Sequence, residues 1–132
     1  MISNILTVDC EDWYHTNVSQ KYLGEINENE FEDCICSNIK VLLNLFRTYK
    51  ATGTFFMLGE VAEKHPGLIP EIENAGHRIG VHGYKHINVY SQTKNEFTAD
   101  LQKVTQLLKR LAAKPIESFR APNWSINKSC TW

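Results

Sequence analysis

The sequence predicts an α/β fold in which short buried strands alternate with helices. Three apolar runs, at 5–8, 53–58 and 77–81, have the continuous β-rich character of parallel strands. Segments with apolar residues at helical spacing lie after them, most clearly at 37–49 and 93–111. Strands that alternate with helices in this way favour a parallel sheet or barrel.

Size and composition are those of one soluble globular domain, or of part of a larger one. The chain has 132 residues, of which 42% are hydrophobic and 22% charged, and its net charge of −1 gives no indication of a nucleic-acid or anionic-membrane partner. No apolar run approaches the roughly 18 residues that a membrane span needs. Because Met1–Asn4 lacks the start of a signal peptide, we expect a cytoplasmic protein. The cysteines lack zinc-knuckle spacing and are expected to be reduced structural thiols: Cys10, Cys34, Cys36 and Cys130.

The remaining helices are placed by capping residues and by breaks in the pattern. Residues 16–33 have little periodicity and predict a loop with a short helix. Ser37 is a suitable N-cap for the next helix. Two short helices are expected at 60–64 and 70–74, with Gly76 in the left-handed position after the second. The predicted core-facing stripe after Ser37 is Ile39, Leu42, Leu43, Leu45 and Phe46.

A capping box and a proline delimit the last elements. Thr93 and Glu96 have the spacing of a capping box at the start of the longest helix. Pro115 interrupts the chain after that helix, and Ile116–Arg120 is expected to form a fourth strand. Arg120 would therefore stand at the carboxyl end of a strand.

Carboxylates and histidines follow two other strands at the same edge. Asp9, Glu11 and Asp12 come directly after the first strand, and His82 and His86 come after the third. Carboxyl ends of parallel strands converge, and α/β folds bind ligands there. Two histidines four residues apart on one turn or tight loop can reach the same divalent cation. A solvated loop with surface histidines is the alternative for each motif alone, but their convergence favours a metal site.

Four segments, in this order, resemble the polysaccharide deacetylases of carbohydrate esterase family 4. The Asp-x-Glu-Asp-Trp variant and the Arg-Ala-Pro ending look most like the branch found in bacterial exopolysaccharide gene clusters. The segments cover nearly the whole chain: 7–13, 51–56, 75–86 and 119–122.

The resemblance implies a distorted (β/α) barrel, of which residues 1–132 would be about the first half, without the C-terminal motifs. It implies one divalent metal, most often zinc, with cobalt or nickel as alternatives. The implied reaction is hydrolysis of N-acetyl groups from N-acetylhexosamine units of a polysaccharide or its precursor. The implied partner is therefore an N-acetylated glycan.

The resemblance also implies roles for the acidic residues and the two histidines. Asp9 is similar to the general base, and the two histidines, His82 and His86, to metal ligands. Many members carry the third ligand directly after the base, where this chain has Cys10. Glu11 and Asp12 remain alternative third ligands. Glu11, which lies on the same strand face as Asp9, is preferred by its similarity to family members that carry Asp-x-Asp.

Further residues are assigned to the substrate side of the site. Arg120 is similar to the arginine that holds the base. Asn123 stands where the family often has an aromatic residue whose backbone N–H binds the oxyanion, and Trp124 is a candidate for the aromatic wall. Trp13 and Tyr84 are candidate substrate contacts, with packing as the alternative for both.

The histidine that serves as general acid in the family belongs to later motifs, which have no match after Trp124. His15, His65 and His77 lie in the wrong segments to replace it. We therefore expect metal binding with poor turnover, and self-association through the exposed sheet edge of half a barrel. The alternatives are a degenerate carbohydrate- or metal-binding module, a structural protein, and a relative that hydrolyses other non-peptide C–N bonds.

Overall fold

A three-stranded parallel sheet organises the chain in the computed structural model, which describes residues 4–23, 33–130 and 132. The strands are β1 (Thr7–Cys10), β2 (Thr54–Met57) and β3 (Arg78–Val81), in the spatial order β1-β2-β3. The parallel α/β prediction is confirmed. The first strand begins two residues later than expected, because Ile5 and Leu6 lie in exposed chain ahead of the sheet.

Five helices accompany the sheet among the described residues: α1 (Asn17–Leu23), α2 (Ile35–Thr48), α3 (Gly59–Lys64), α4 (Leu68–Asn74) and α5 (Lys94–Leu111). The α5 capping box is confirmed, since the Thr93 side chain accepts from the Glu96 N–H and Glu96 accepts in return. Gly76 has a φ of 92°, the left-handed conformation expected there.

Several helix starts and one helix face differ from the sequence prediction. Helix α2 begins two residues before Ser37, whose hydroxyl donates to the Cys34 carbonyl inside the first turn instead of capping it. Helix α4 begins at Leu68 rather than at residue 70. Leu45 was predicted to face the core but is 48% exposed, since it lies about 200° around the helix from Leu43. Of the predicted 16–33 loop, α1 is observed, and residues 24–32 lie outside the described residues.

One face of the sheet is covered by helices and holds the core. The alternation of strand side chains sends the apolar residues to this face. The strand residues of this face form one continuous apolar cluster with residues of α2, α3, α4 and α5. Its sheet residues are Val8, Cys10, Phe55, Met57, Ile79 and Val81.

The predicted fourth strand at 116–120 is wrong as a strand. Its only ladder contact among the described residues is an isolated parallel bridge between Val81 and Phe119. Val81 donates to the Ser118 carbonyl at 2.8 Å and accepts from the Arg120 N–H at 2.9 Å. The segment has a paired neighbour on one side only, and the chain turns away at Pro122. The bridge nevertheless places Arg120 at the carboxyl edge, as the sequence indicated.

The structure also bears on the cysteine and membrane predictions. The four cysteines are free. No helix in the described ranges has the length and apolar character to cross a bilayer. Strand β1 lies at one edge of the sheet and pairs with β2 alone. Self-association through this open edge stays a prediction.

Candidate metal and catalytic site

Three potential metal ligands meet at the carboxyl ends of the outer strands. Glu11 follows β1, and His82 and His86 leave β3 on one loop. Each residue contributes one ligand atom, and the three atoms lie within 4.8 Å of one another. Both histidines are at least 95% buried, and the glutamate is partly exposed. Two imidazoles and one carboxylate are a common ligand set for a catalytic zinc ion.

The orientation of His82 is fixed by its backbone surroundings. Its Nδ1 lies 2.8 Å from the Arg120 carbonyl oxygen, which can only accept, so Nδ1 carries the proton. Nε2 therefore presents its lone pair on the side of Asp9 and Glu11. Burial lowers the pKa of His82, which keeps the ring neutral as a metal ligand requires.

The Glu11–His86 contact lacks the hydrogen bonds that its burial would demand. Glu11 Oε2 lies 2.9 Å from His86 Nε2 as an ion-pair contact. Glu11 Oε2 and His86 Nδ1 are buried polar atoms without a hydrogen-bond partner in the part of the chain that the structure describes. Burial alone would raise the pKa of Glu11, but its side-chain contact with His86 and the charges of His86, His82 and His15 lower it below its usual value. A divalent cation fits this donor set, since it satisfies a buried carboxylate that hydrogen bonds leave open.

Asp9 is held beside the three ligands by Arg120. Arg120 Nη1 donates to Asp9 Oδ1 at 2.7 Å, and Nη2 donates to the Thr7 hydroxyl at 2.7 Å. The other oxygen, Asp9 Oδ2, lies 3.9 Å from His82 Nε2. One carboxylate oxygen is thus used for orientation, and the second faces the ligand cluster.

The Arg120 side chain reaches β1 across the face of the sheet opposite the helices. Its guanidinium carbon lies 4.3 Å from the centre of the Phe56 ring on β2. A Cβ on Gly80 would come within 2.7 Å of two Phe56 ring carbons and 2.6 Å of the Ser118 hydroxyl. The glycine therefore leaves room for the Phe56 ring on which Arg120 rests.

Thr7 was given no role by the sequence analysis, although it contacts the same guanidinium as Asp9. The two residues are two positions apart on β1 and so share one face of the strand. That spacing, together with the predicted Arg120 contact, was a usable signal for Thr7.

The structure separates the two alternative third ligands. Both carboxylate oxygens of Asp12 accept backbone N–H groups, from Trp13 at 3.0 Å and from Cys34 at 2.9 Å. Asp12 caps a 3₁₀ turn and is not among the three converging residues. Cys10 points into the core, and its burial raises its thiol pKa, so it is an unreactive neutral group. Glu11 is the acidic residue that faces the two histidines.

The four candidate substrate residues occupy different surroundings. Trp124 is 76% exposed and stacks on Arg120, with 4.8 Å between the guanidinium carbon and the ring centre. Asn123 precedes it with a positive φ of 52° and donates through its side chain to Asn88 at 2.8 Å. Trp13 is half exposed and begins the 3₁₀ turn that Asp12 caps. Tyr84 packs against α3 and donates to Glu63, which is a packing role.

The other three histidines are engaged elsewhere. His15 Nδ1 accepts the backbone N–H three residues before it, at 2.8 Å. His77 Nδ1 accepts from the Gly53 N–H at 3.2 Å, and His65 Nε2 contacts the Asp33 carboxylate at 2.6 Å. None of them lines the cluster at the carboxyl edge, in agreement with their positions in the sequence.

Comparison with known proteins places the chain in a family. The sequence model described as polysaccharide deacetylase matches residues 29–132. A peptidoglycan-N-acetylglucosamine deacetylase of Bacillus cereus is 36% identical over 85 residues, which are 64% of this chain and 31% of that protein.

Solved structures share the fold. The Bc1960 peptidoglycan N-acetylglucosamine deacetylase, in complex with 4-naphthalen-1-yl-N-oxidanyl-benzamide, aligns with a TM-score of 0.70 and 26% identity, covering 97% of this chain and 50% of that one. BA3943, a CE4 family pseudoenzyme from Bacillus anthracis, aligns with a TM-score of 0.70 and 19% identity, covering 96% and 37%. The chain thus spans half or less of the length of these relatives. With a family match over residues 29–132 and the common fold, this chain belongs to the polysaccharide deacetylase family.

Proposed function

We propose that this chain carries the metal-binding and general-base half of a hydrolase that removes N-acetyl groups from N-acetylhexosamine units of a polysaccharide or its precursor. The observation that carries the proposal is the convergence of Glu11, His82 and His86 beside a carboxylate held by Arg120. In a solvated loop this Glu11 oxygen would be hydrated, whereas Oε2 is buried against His86 and has no hydrogen-bond partner among the described residues.

The proposed resident ion is a divalent metal, zinc in preference to cobalt or nickel. Glu11, His82 and His86 would hold it and leave coordination positions open. When bound, such an ion supplies Lewis-acid polarisation of the acetyl carbonyl and makes water more acidic.

Asp9 is the proposed general base. Arg120 occupies its Oδ1, so Oδ2 is the oxygen available to accept a proton from the attacking water. The backbone N–H of Asn123 is the proposed donor toward the oxyanion, and Trp124 and Trp13, whose side chains are exposed, are proposed aromatic contacts for the sugar. The Asp-x-Glu-Asp-Trp motif supports, as a further proposal, a bacterial exopolysaccharide as the natural substrate.

The departing amine requires a proton, and among the described residues no histidine other than the two proposed ligands stands beside the cluster to supply it as a separate general acid. The three histidines outside the cluster are bound to backbone or carboxylate groups of their own. We therefore propose slow amide hydrolysis by this chain. The lack of a separate general acid among the described residues also favours a second candidate, a module that binds metal and glycan without turnover.

An aryl acetate ester distinguishes the two candidates. A phenolate leaves without protonation, so ester hydrolysis needs the metal and the base but no general acid. We expect zinc-dependent ester hydrolysis by the 132-residue chain, with much slower acetate release from N-acetylated oligosaccharides. Asp9→Asn should lower ester hydrolysis by about 10²-fold or more while retaining zinc.

Glu11→Gln is the matched comparison, because it removes a ligand and leaves the base in place. It should lose zinc and activity together. Ester hydrolysis at the same rate in the unmodified, Asp9→Asn and Glu11→Gln proteins would contradict the proposed hydrolase. Zinc binding without zinc-dependent ester hydrolysis would favour the binding module.

A further inference from the structure

The loop that carries both proposed histidine ligands is short and has no regular secondary structure. It runs from His82 to His86 after β3, and Gly83 within it has a φ of 87°. The His82 N–H donates to the Met57 carbonyl at 3.0 Å, which continues the β2–β3 ladder by one residue. The positions of the ring nitrogens therefore depend on what holds the middle of the loop.

Helix α3 holds one side of this loop. The backbone N–H groups of Gly59 and Glu60 donate to the carbonyls of Gly83 and Tyr84, at 3.0 and 3.1 Å. Gly59 is needed for this approach, since a Cβ there would come within 2.3 Å of the Tyr84 ring. The carbonyls of the loop are thus fixed from α3, which leaves the loop N–H groups to be satisfied from elsewhere.

Asp100 on α5 holds the other side. Its Oδ2 accepts the Tyr84 N–H at 3.0 Å, and the Lys85 N–H faces the same carboxylate. The carboxylate also lies beside Gly83, where a Cβ would be 3.6 Å from Oδ2. Asp100 is partly buried, and burial raises its pKa. Burying a carboxylate lowers stability unless hydrogen bonds compensate. The hydrogen bonds from the loop N–H groups supply that compensation, which ties the carboxylate to the loop.

We propose that Asp100 is a positioning residue that sets the geometry of the His82 and His86 ligands by binding the backbone between them. It touches neither the proposed ion nor a substrate, and acts through the amides of Tyr84 and Lys85. This inference rests on the proposed metal site and adds to it a residue on a different element, 14 positions beyond His86.

Three variants of the 132-residue chain test the proposal. Asp100→Ala removes the acceptor, and Asp100→Asn keeps one acceptor oxygen. Val104→Ala is the matched control. It leaves a cavity at a fully buried position of the same helix, within the main apolar cluster. We expect zinc affinity, measured by competition with a chelator, to fall about tenfold or more in Asp100→Ala. Asp100→Asn should retain most of the affinity, and Val104→Ala should bind zinc as the unmodified chain does despite its lower stability.

Hydrogen exchange in the metal-free proteins provides a second readout that does not depend on zinc. The amides of Tyr84 and Lys85 should exchange faster in Asp100→Ala relative to the β2–β3 ladder amides, and Val104→Ala should show no such local effect. Unchanged zinc affinity and unchanged exchange in Asp100→Ala would overturn the proposal, as would an equal loss of affinity in Val104→Ala. If the unmodified chain binds no zinc, the proposed metal site fails, and the exchange measurement still decides whether Asp100 orders the loop.

Discussion

The Arg120–Asp9 pair should contribute measurably to stability in the metal-free protein. Arg120 donates to Asp9 at 2.7 Å, and the two side chains are only 16% and 28% exposed. A hydrogen bond to a charged group is worth about 1.5–3 kcal/mol when it is sheltered from water. We therefore expect a double-mutant cycle with Arg120→Ala and Asp9→Ala to give a coupling free energy of about 1.5–2.5 kcal/mol.

The single Arg120→Ala change should cost more than this coupling. The guanidinium also donates to the Thr7 hydroxyl and rests on the Phe56 ring, at 4.3 Å from the ring centre. The ring contact adds about 0.5–2 kcal/mol. The unfolding free energy of Arg120→Ala should therefore fall by about 2–4 kcal/mol.

Urea unfolding in the presence of a chelator is the assay, with constant m-values as the condition for comparing variants. The matched control is the Arg78–Glu117 pair, which has a 3.4 Å separation and side chains that are 75% and 67% exposed. Its coupling should be below about 0.5 kcal/mol. An Arg120–Asp9 coupling no larger than that of the control pair would refute the view that Arg120 fixes the Asp9 carboxylate.

Two further predictions concern the sheet and the acid stability of the fold. Gly80→Ala should lower the unfolding free energy by about 1–3 kcal/mol, because the new Cβ overlaps the Phe56 ring; an unchanged urea midpoint would contradict this. Burial would raise the pKa of Asp33, but Lys64 and His65 lower it to about 2, from an ordinary value of 3.8. The ionised carboxylate therefore stabilises the fold above about pH 4, and this contribution is lost as the pH falls through 2. The stability deficit of Asp33→Asn should be largest at pH 5 and shrink toward pH 2; a constant deficit would exclude this origin.

The sequence predicted the sheet and the site edge because both depend on local patterns. Apolar runs directly followed by Asp9 or by His82 can be read from the chain alone, and parallel strands bring those ends together. The prediction of a fourth strand was wrong because residues 116–120 make only one bridge to a neighbouring strand among the described residues. Whether a segment finds strand partners depends on the tertiary fold and cannot be read from its own sequence. Leu45 was misplaced because a broad apolar stripe does not reveal how much of it the core covers.

The choice between Glu11 and Asp12 depended on a contact that the sequence does not contain. The Cys34 N–H that occupies Asp12 is 22 residues away along the chain, and only the fold brings it there. Asp100 was invisible for a similar reason, since one acidic residue on the polar side of a helix resembles ordinary solvated charge. Its contact with the Tyr84 backbone appears only once α5 and the histidine loop are packed together.

Zinc content of the purified, refolded chain tests the central claim most directly. We expect close to one zinc per folded chain after incubation with zinc and gel filtration, measured by mass spectrometry. The double variant His82→Ala/His86→Ala should retain almost none, whereas His65→Ala should retain the full amount, because His65 contacts Asp33 and lies outside the cluster. Folded unmodified protein without zinc, or zinc retained by the double variant, would contradict a metal site formed by Glu11, His82 and His86.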